Sequence, residues 1–155
     1  RLMSIGVGDR APGFTLPSTG GNGGNEVSLG DFAGRPVVLV FYPGDDTPVC
    51  TKQLNSYNDD LAQFEALDAQ VLGISAQGLE SHEKFSGKHG FKFPLLADTD
   101  KKVAGLYGTL GPIGFPRRSV FIIDGTGVVR YAHRAIAGLT YRPVSELVEV
   151  LQKLG

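Results

Sequence analysis

The sequence holds a single cysteine, Cys50, among 155 residues. One cysteine cannot close an internal disulfide, so a disulfide-stapled secreted scaffold is excluded and a cytoplasmic protein is the expectation. Long apolar runs are missing too. The most apolar stretch, Pro36 to Tyr42, is far shorter than the ~20 residues a membrane-spanning helix needs. No charged-then-apolar signal segment opens the chain; Arg1 and Leu2, which precede Met3, are set aside. Like charges form no run, and the formal net charge is −1, so the basic face of a nucleic-acid binder is not expected. Nor is there a cluster of His, Cys or carboxylates with metal-ligand spacing. His82, His89 and His133 fall in no ligand pattern and read as surface or structural residues. The expectation is a chain that works without a metal or other cofactor.

Glycine, by contrast, is abundant: 22 residues, roughly twice the usual ~7%. Gly20, Gly21, Gly23 and Gly24 lie within Ser18 to Asn25, a stretch with no apolar periodicity that reads as a flexible loop. It is not a phosphate-binding loop, because no Lys-Ser or Lys-Thr pair follows and no helix signature opens there.

The length suits one domain over residues 1–155, able to bury a core without disulfides or structural metal. Phe14 to Leu16 and Glu26 to Leu29 flank the glycine loop and predict a short hairpin at a sheet edge. Pro36 to Tyr42 is continuous and β-branched, the mark of a strand buried on both faces. After Pro43, Gly44, Asp45 and Asp46, a helix is predicted from Thr47, with Thr as N-cap and Pro48 in the first helical position. Cys50, Leu54, Tyr57, Leu61 and Phe64 then form one apolar stripe, with the sulfur turned inward at its start. Val71 to Ser75 reads as a strand and Glu80 to His89 as a helix ending at Gly90. Pro94 to Ala97 is a short strand, and Asp98 a cap for a short helix to Leu106. Ser119 to Ile123 is a second buried strand, turned by Asp124-Gly125-Thr126-Gly127 into Val128 to His133. Val144, Leu147, Val148, Leu151 and Leu154 stripe a closing helix. This order predicts an α/β architecture of thioredoxin-like fold: a central mixed sheet flanked by helices, with an N-terminal β-hairpin.

A cysteine in the first turn of a helix meets the positive end of the helix dipole and unpaired backbone N–H groups, and both favour thiolate over thiol. Counting from Thr47, Cys50 occupies the third helical position, where a capping box would place a carboxylate. A lone buried cysteine is otherwise a small hydrophobe; its place at the helix start argues for reactivity.

Pro43-Gly-Asp-Asp-Thr47-Pro-Val-Cys50 has the P-x-x-x-T-x-x-C spacing and resembles the active-site motif of peroxiredoxins. Tyr42 to Pro48, followed by Cys50-Thr51-Lys52-Gln53, is similar to the bacterioferritin-comigratory, or Q-type, branch. Gly8 to Leu16 resembles the opening of that family, Phe93 to Asp98 its mid-chain strand, and Arg118 to Asp124 its late strand. The resemblance implies a thiol peroxidase in which Cys50 attacks a hydroperoxide and becomes a sulfenic acid. It also implies that Arg118 stabilises the departing oxygen, although spacing alone does not separate Arg118 from Arg117. Thr47 would accept from the peroxide and donate to the thiolate, Pro43 would shield the sulfur, and Gln53 would steady the arginine.

The chain departs from that branch in one respect above all. Many Q-type members carry a resolving cysteine five residues after the first, where Asn55 stands here. The sulfenic acid must then be reduced by an external thiol: thioredoxin, a glutaredoxin-like protein or a low-molecular-weight thiol. Val49 stands where glycine is common. Disulfide exchange of the thioredoxin kind wants C-x-x-C, and Gln53 occupies the second cysteine's place. A cysteine phosphatase lacks an arginine six residues after Cys50, and no histidine is placed persuasively for a Cys-His hydrolase. A non-catalytic thioredoxin-like interaction module remains as the alternative from another class. A monomer or small homodimer is expected.

Overall fold

The structure, a computed structural model of the chain, describes residues 5–19, 26–111, 114, 116–135 and 140–154. The glycines of the predicted loop, at positions 20, 21, 23 and 24, lie outside the described residues. Five strands form one mixed sheet: β3 (Val37–Phe41), β4 (Gln70–Ser75), β5 (Leu95–Ala97), β6 (Ser119–Ile123) and β7 (Val129–Arg134). Their order is β5-β4-β3-β6-β7. β3 pairs parallel with β4 and antiparallel with β6. All five residues of β3 are buried, as its unbroken apolar run predicted.

Successive side chains of β3 point to opposite faces, and each face has its own core. Val38, Val40 and Tyr42 join Cys50, Leu54, Tyr57, Phe64, Phe85, Val120, Ile122, Leu147 and Leu151. Val37, Leu39 and Phe41 join Leu72, Ile74, Val103, Tyr107, Phe121 and Ile123. The first face is covered by α1 (Pro48–Asp59), α2 (Leu61–Glu65), α3 (Leu79–His89) and α5 (Val144–Leu154), the second by α4 (Lys102–Leu106). Neighbouring strands leave little room at Gly73 of β4, where a Cβ would stand 2.8 Å from Leu95 Cδ2.

Three expectations need adjusting. The N-terminal strands β1 (Thr15–Pro17) and β2 (Glu26–Ser28) pair antiparallel as a sheet of their own. A bridge from Ser18 to Leu96 ties them to β5. The stripe from Cys50 to Phe64 is buried throughout, but the helix breaks at Asp60, so two helices share it. The short helix predicted after Asp98 starts only at Lys102, behind a left-handed Lys101. Asp98 still satisfies its free donors, because the carboxylate accepts from the backbone N–H of Val103 (3.1 Å) and of Ala104 (2.8 Å). α3 stops where glycine permits it, with Gly90 at φ +67°.

Candidate active site

The two halves of the site meet because β6 runs antiparallel to β3. Phe41, the last residue of β3, pairs with Ser119, the first of β6. The segment leaving β3 and the segment entering β6 therefore reach the same sheet edge. The first is the turn from Pro43 to Thr47, which leads into α1; the second carries Arg117 and Arg118.

Cys50 lies at the third position of α1 and is fully buried. Its sulfur is 3.3 Å from Nη1 of Arg118, which donates to it. The same Nη1 donates to Oε1 of Gln53 at 2.7 Å. Gln53 is itself fully buried, and its Nε2 donates to the Tyr57 hydroxyl at 3.2 Å. That hydroxyl donates onward to the carbonyl of Arg142 at 2.8 Å. Burial, the chief influence, pushes the Tyr57 phenol up to about 12, so it stays a donor at neutral pH. The line from sulfur through Arg118, Gln53 and Tyr57 to the segment before α5 has a partner at every step.

Tyr57 was legible only as a member of the apolar stripe. Its hydroxyl sits four residues beyond Gln53 on one helix face, the spacing at which side chains meet, and that was the available signal. Arg117 is placed differently from its neighbour: its Nε donates to the carbonyl of Ala135 at 3.3 Å. Pro43 is exposed in the turn above β3. Thr47 is the N-cap residue of α1 by backbone conformation, φ −89° and ψ 152°, but its side chain makes no capping bond. The hydroxyl donates instead to the carbonyl of Gly44 at 2.9 Å. Its proton is thereby directed away from the sulfur, and its lone pairs remain for an incoming donor.

In the turn that precedes α1, Asp45 gathers a second set of polar groups. Tyr42 donates to Oδ1 at 2.7 Å, while Ser81 Oγ and His82 Nδ1 both lie 2.6 Å from Oδ2. Burial raises the carboxyl, but the hydrogen bonds from His82, Ser81 and Tyr42 outweigh it and hold the group below its ordinary range. Asp45 was read from sequence only as a strand breaker. His82, read as surface or structural, is wholly buried.

An arginine donor on a buried sulfur at a helix start suits a reaction in which negative charge passes from sulfur to a departing oxygen. On a thioredoxin-like sheet, that is an arrangement suited to a thiol peroxidase. Residues 7–132 match the model of the AhpC/TSA family. The chloroplastic peroxiredoxin Q of Oryza sativa subsp. japonica is 38% identical over 160 residues, spanning 97% of this chain and 68% of that protein. Among solved structures, a mutant of Xylella fastidiosa PrxQ superposes with TM-score 0.84 at 30% identity, covering 98% of this chain and 96% of that one. Peroxidoxin BcpB from Mycobacterium tuberculosis does so with TM-score 0.84 at 28% identity, covering 96% and 97%. The chain belongs to the AhpC/TSA family, among the peroxiredoxins of the Q type. Peroxiredoxins reduce hydroperoxides at the expense of thiols, and in this chain Cys50 is the only thiol.

Proposed function

We propose that Cys50 is the peroxidatic nucleophile, with Arg118, Thr47, Pro43 and Gln53 as its machinery. The thiolate attacks one peroxide oxygen, the O–O bond breaks, and the electron pair leaves with the distal oxygen, which takes a proton and departs as water or an alcohol. Cys50 is left as sulfenic acid. A reducing thiol then forms a mixed disulfide with release of water, and a second thiol frees Cys50.

The observation that carries this reading is the 3.3 Å contact between Arg118 Nη1 and Cys50 Sγ in a buried setting. A guanidinium keeps its charge, and its fixed fork can serve sulfur and peroxide together. Gln53 holds that fork in place. The Thr47 hydroxyl, with its proton on Gly44, accepts from the peroxide O–H. Pro43 covers the approach and limits water. The external reductant is thioredoxin, a glutaredoxin-like protein or a low-molecular-weight thiol, and the protein acts as a monomer or small homodimer. The plant relative is named chloroplastic, so membership of the family is compatible with more than one compartment. The cytoplasm, which keeps a lone thiol reduced, fits this chain. Among the described residues, no helix is long and apolar enough to cross a membrane.

The test is one equivalent of peroxide followed by a sulfenic-acid trap and mass spectrometry. Cys50 is expected to carry the adduct within seconds, and a chain that remains unlabelled refutes the assignment.

A further inference from the structure

Asp45 and His82 are buried, titratable and outside the thiol chemistry. The Asp45 side chain is 4% exposed and that of His82 is 0% exposed. His82 Nδ1 lies 2.6 Å from the Asp45 carboxylate, and its Nε2 lies 2.9 Å from the carbonyl oxygen of Leu96 in β5. Each ring nitrogen therefore faces an acceptor. A neutral imidazole has one N–H and would set its other nitrogen's lone pair against an oxygen. With Asp45 held below its ordinary range by its hydrogen bonds and so a carboxylate, the ring satisfies both contacts by donating twice, as imidazolium. Asp45 is correspondingly a carboxylate, receiving His82, Ser81 and Tyr42.

The charged groups nearby do not compete for this contact. Asp46, Glu80, Lys84 and Lys88 line an open groove that Asp45 and Ser81 also border, with Lys88 engaged by Asp46 and Lys84 by Glu80. Tyr42 stays neutral, its phenol pushed well up by burial and then by Asp45.

The pair's position in the chain gives it a consequence for the site. Asp45 follows Gly44, whose carbonyl holds the Thr47 hydroxyl, and its backbone N–H donates to Oε1 of Gln77. Main chain and side chain of the turn are thus both pinned, the side chain to α3 and, through His82, to β5.

We propose that Asp45 and His82 form a buried ion pair that positions the Pro43–Thr47 turn over Cys50. They are positioning residues: they act on the reaction through Thr47 and the turn, not by touching peroxide. The proposal rests on Cys50 as nucleophile. Removing one partner leaves the other charge buried and uncompensated, and the turn then relaxes. Peroxide attack, which needs the assembled turn, slows. Reduction of the sulfenic acid by a small thiol, which must displace the turn to reach a sulfur with no exposure, does not slow.

The experiment measures the two half-reactions separately in Asp45→Asn, His82→Gln and the double variant. Oxidation of Cys50 by peroxide is expected to fall on the order of 10–100-fold, the scale of a small misplacement at a reacting centre. Reduction of the oxidised form by a small thiol is expected to stay level or rise. The double variant should lose no more than the worse single one, as two members of one unit do. Oxidation within threefold of wild type, or equal slowing of both half-reactions, overturns the proposal. Wild-type protein labelled with ¹⁵N in its histidines gives a readout that needs neither turnover nor a variant. At pH 7 both nitrogens of His82 are expected as N–H, and a single protonated nitrogen overturns the pair. If wild type fails to react with peroxide, the assignment of Cys50 falls instead, and the nitrogen spectrum still judges the pair.

Discussion

Replacing Arg118 by alanine removes its contacts to Cys50 and to Gln53 together, and each should register differently. Loss of the donor on Cys50 Sγ takes away one electrostatic contact to developing charge, worth on the order of 10²–10³ in rate, or about 2.7–4 kcal/mol. Loss of the donor on Gln53 Oε1 leaves a wholly buried amide oxygen unsatisfied, costing about 1–3 kcal/mol of stability. Set against the usual ~5–15 kcal/mol of a folded domain, that cost leaves most molecules folded. The fall in rate is therefore chemical and not a loss of folded protein. The chain has no tryptophan, so intrinsic tryptophan fluorescence cannot follow the reaction. Rapid quench into a sulfenic-acid trap, read by mass spectrometry over several peroxide concentrations, gives the bimolecular rate constant. Arg118→Lys should lie between wild type and Arg118→Ala, since an ammonium keeps the charge but not the fork. Arg117, engaged with the carbonyl of Ala135, should cost little when replaced by alanine. A loss within threefold for Arg118→Ala, or a larger one for Arg117→Ala, would refute the reasoning.

Cys50→Ser should abolish peroxide turnover and keep the fold, because a serine hydroxyl is not ionised at neutral pH; activity within tenfold of wild type contradicts this. Tyr57→Phe leaves Gln53 Nε2 and the Arg142 carbonyl without the hydroxyl and should cost about 1–3 kcal/mol in urea unfolding, with slower oxidation of Cys50. Asn55→Cys places a second thiol five residues along α1, with Cα atoms roughly 8–9 Å apart, beyond the ~7 Å limit for a disulfide. Peroxide should therefore trap a disulfide in this variant only with loss of helix by circular dichroism. Asp124 titrates at about 2 in the folded chain: slight burial raises it, but hydrogen bonds from Thr126, Val128 and Arg130 prevail. Its unfolded value is about 3.9, so its stabilisation is present above about pH 4 and lost as pH falls toward about 2. Asp124→Asn should show a shallower acid loss of stability over that window.

The buried strands were legible because Val37–Phe41 and Ser119–Ile123 are apolar runs of strand length, and α1 because Thr47-Pro48 marks a helix start. The choice between Arg117 and Arg118 was not legible from spacing. Side chains of β6 alternate, and Val120 and Ile122 face the core that contains Cys50. Arg118, two residues before Val120, shares their face, and Arg117 does not. Sequence alone shows the alternation but not which parity meets the thiol; only the pairing of β6 with β3 decides that. The direction of the Thr47 hydroxyl was also hidden, since a cap and a turn back to Gly44 use the same residue. Asp45 and His82 were hidden for a related reason. Their partnership spans 37 positions, and neither residue carries a local signal of burial.

The antiparallel placement of β6 against β3 also bears on how the enzyme comes into being. Cys50 and Arg118 are 68 positions apart and are joined across a strand pairing that is among the last the chain can make. Contacts so distant in sequence carry a loop-closure cost and form slowly. A chain emerging from the ribosome thus presents its cysteine well before the arginine that donates to it. Until β6 docks, the thiol lacks that donor and has only whatever helix start has formed. Peroxidase competence should therefore arrive late in folding, together with the closing of the central sheet.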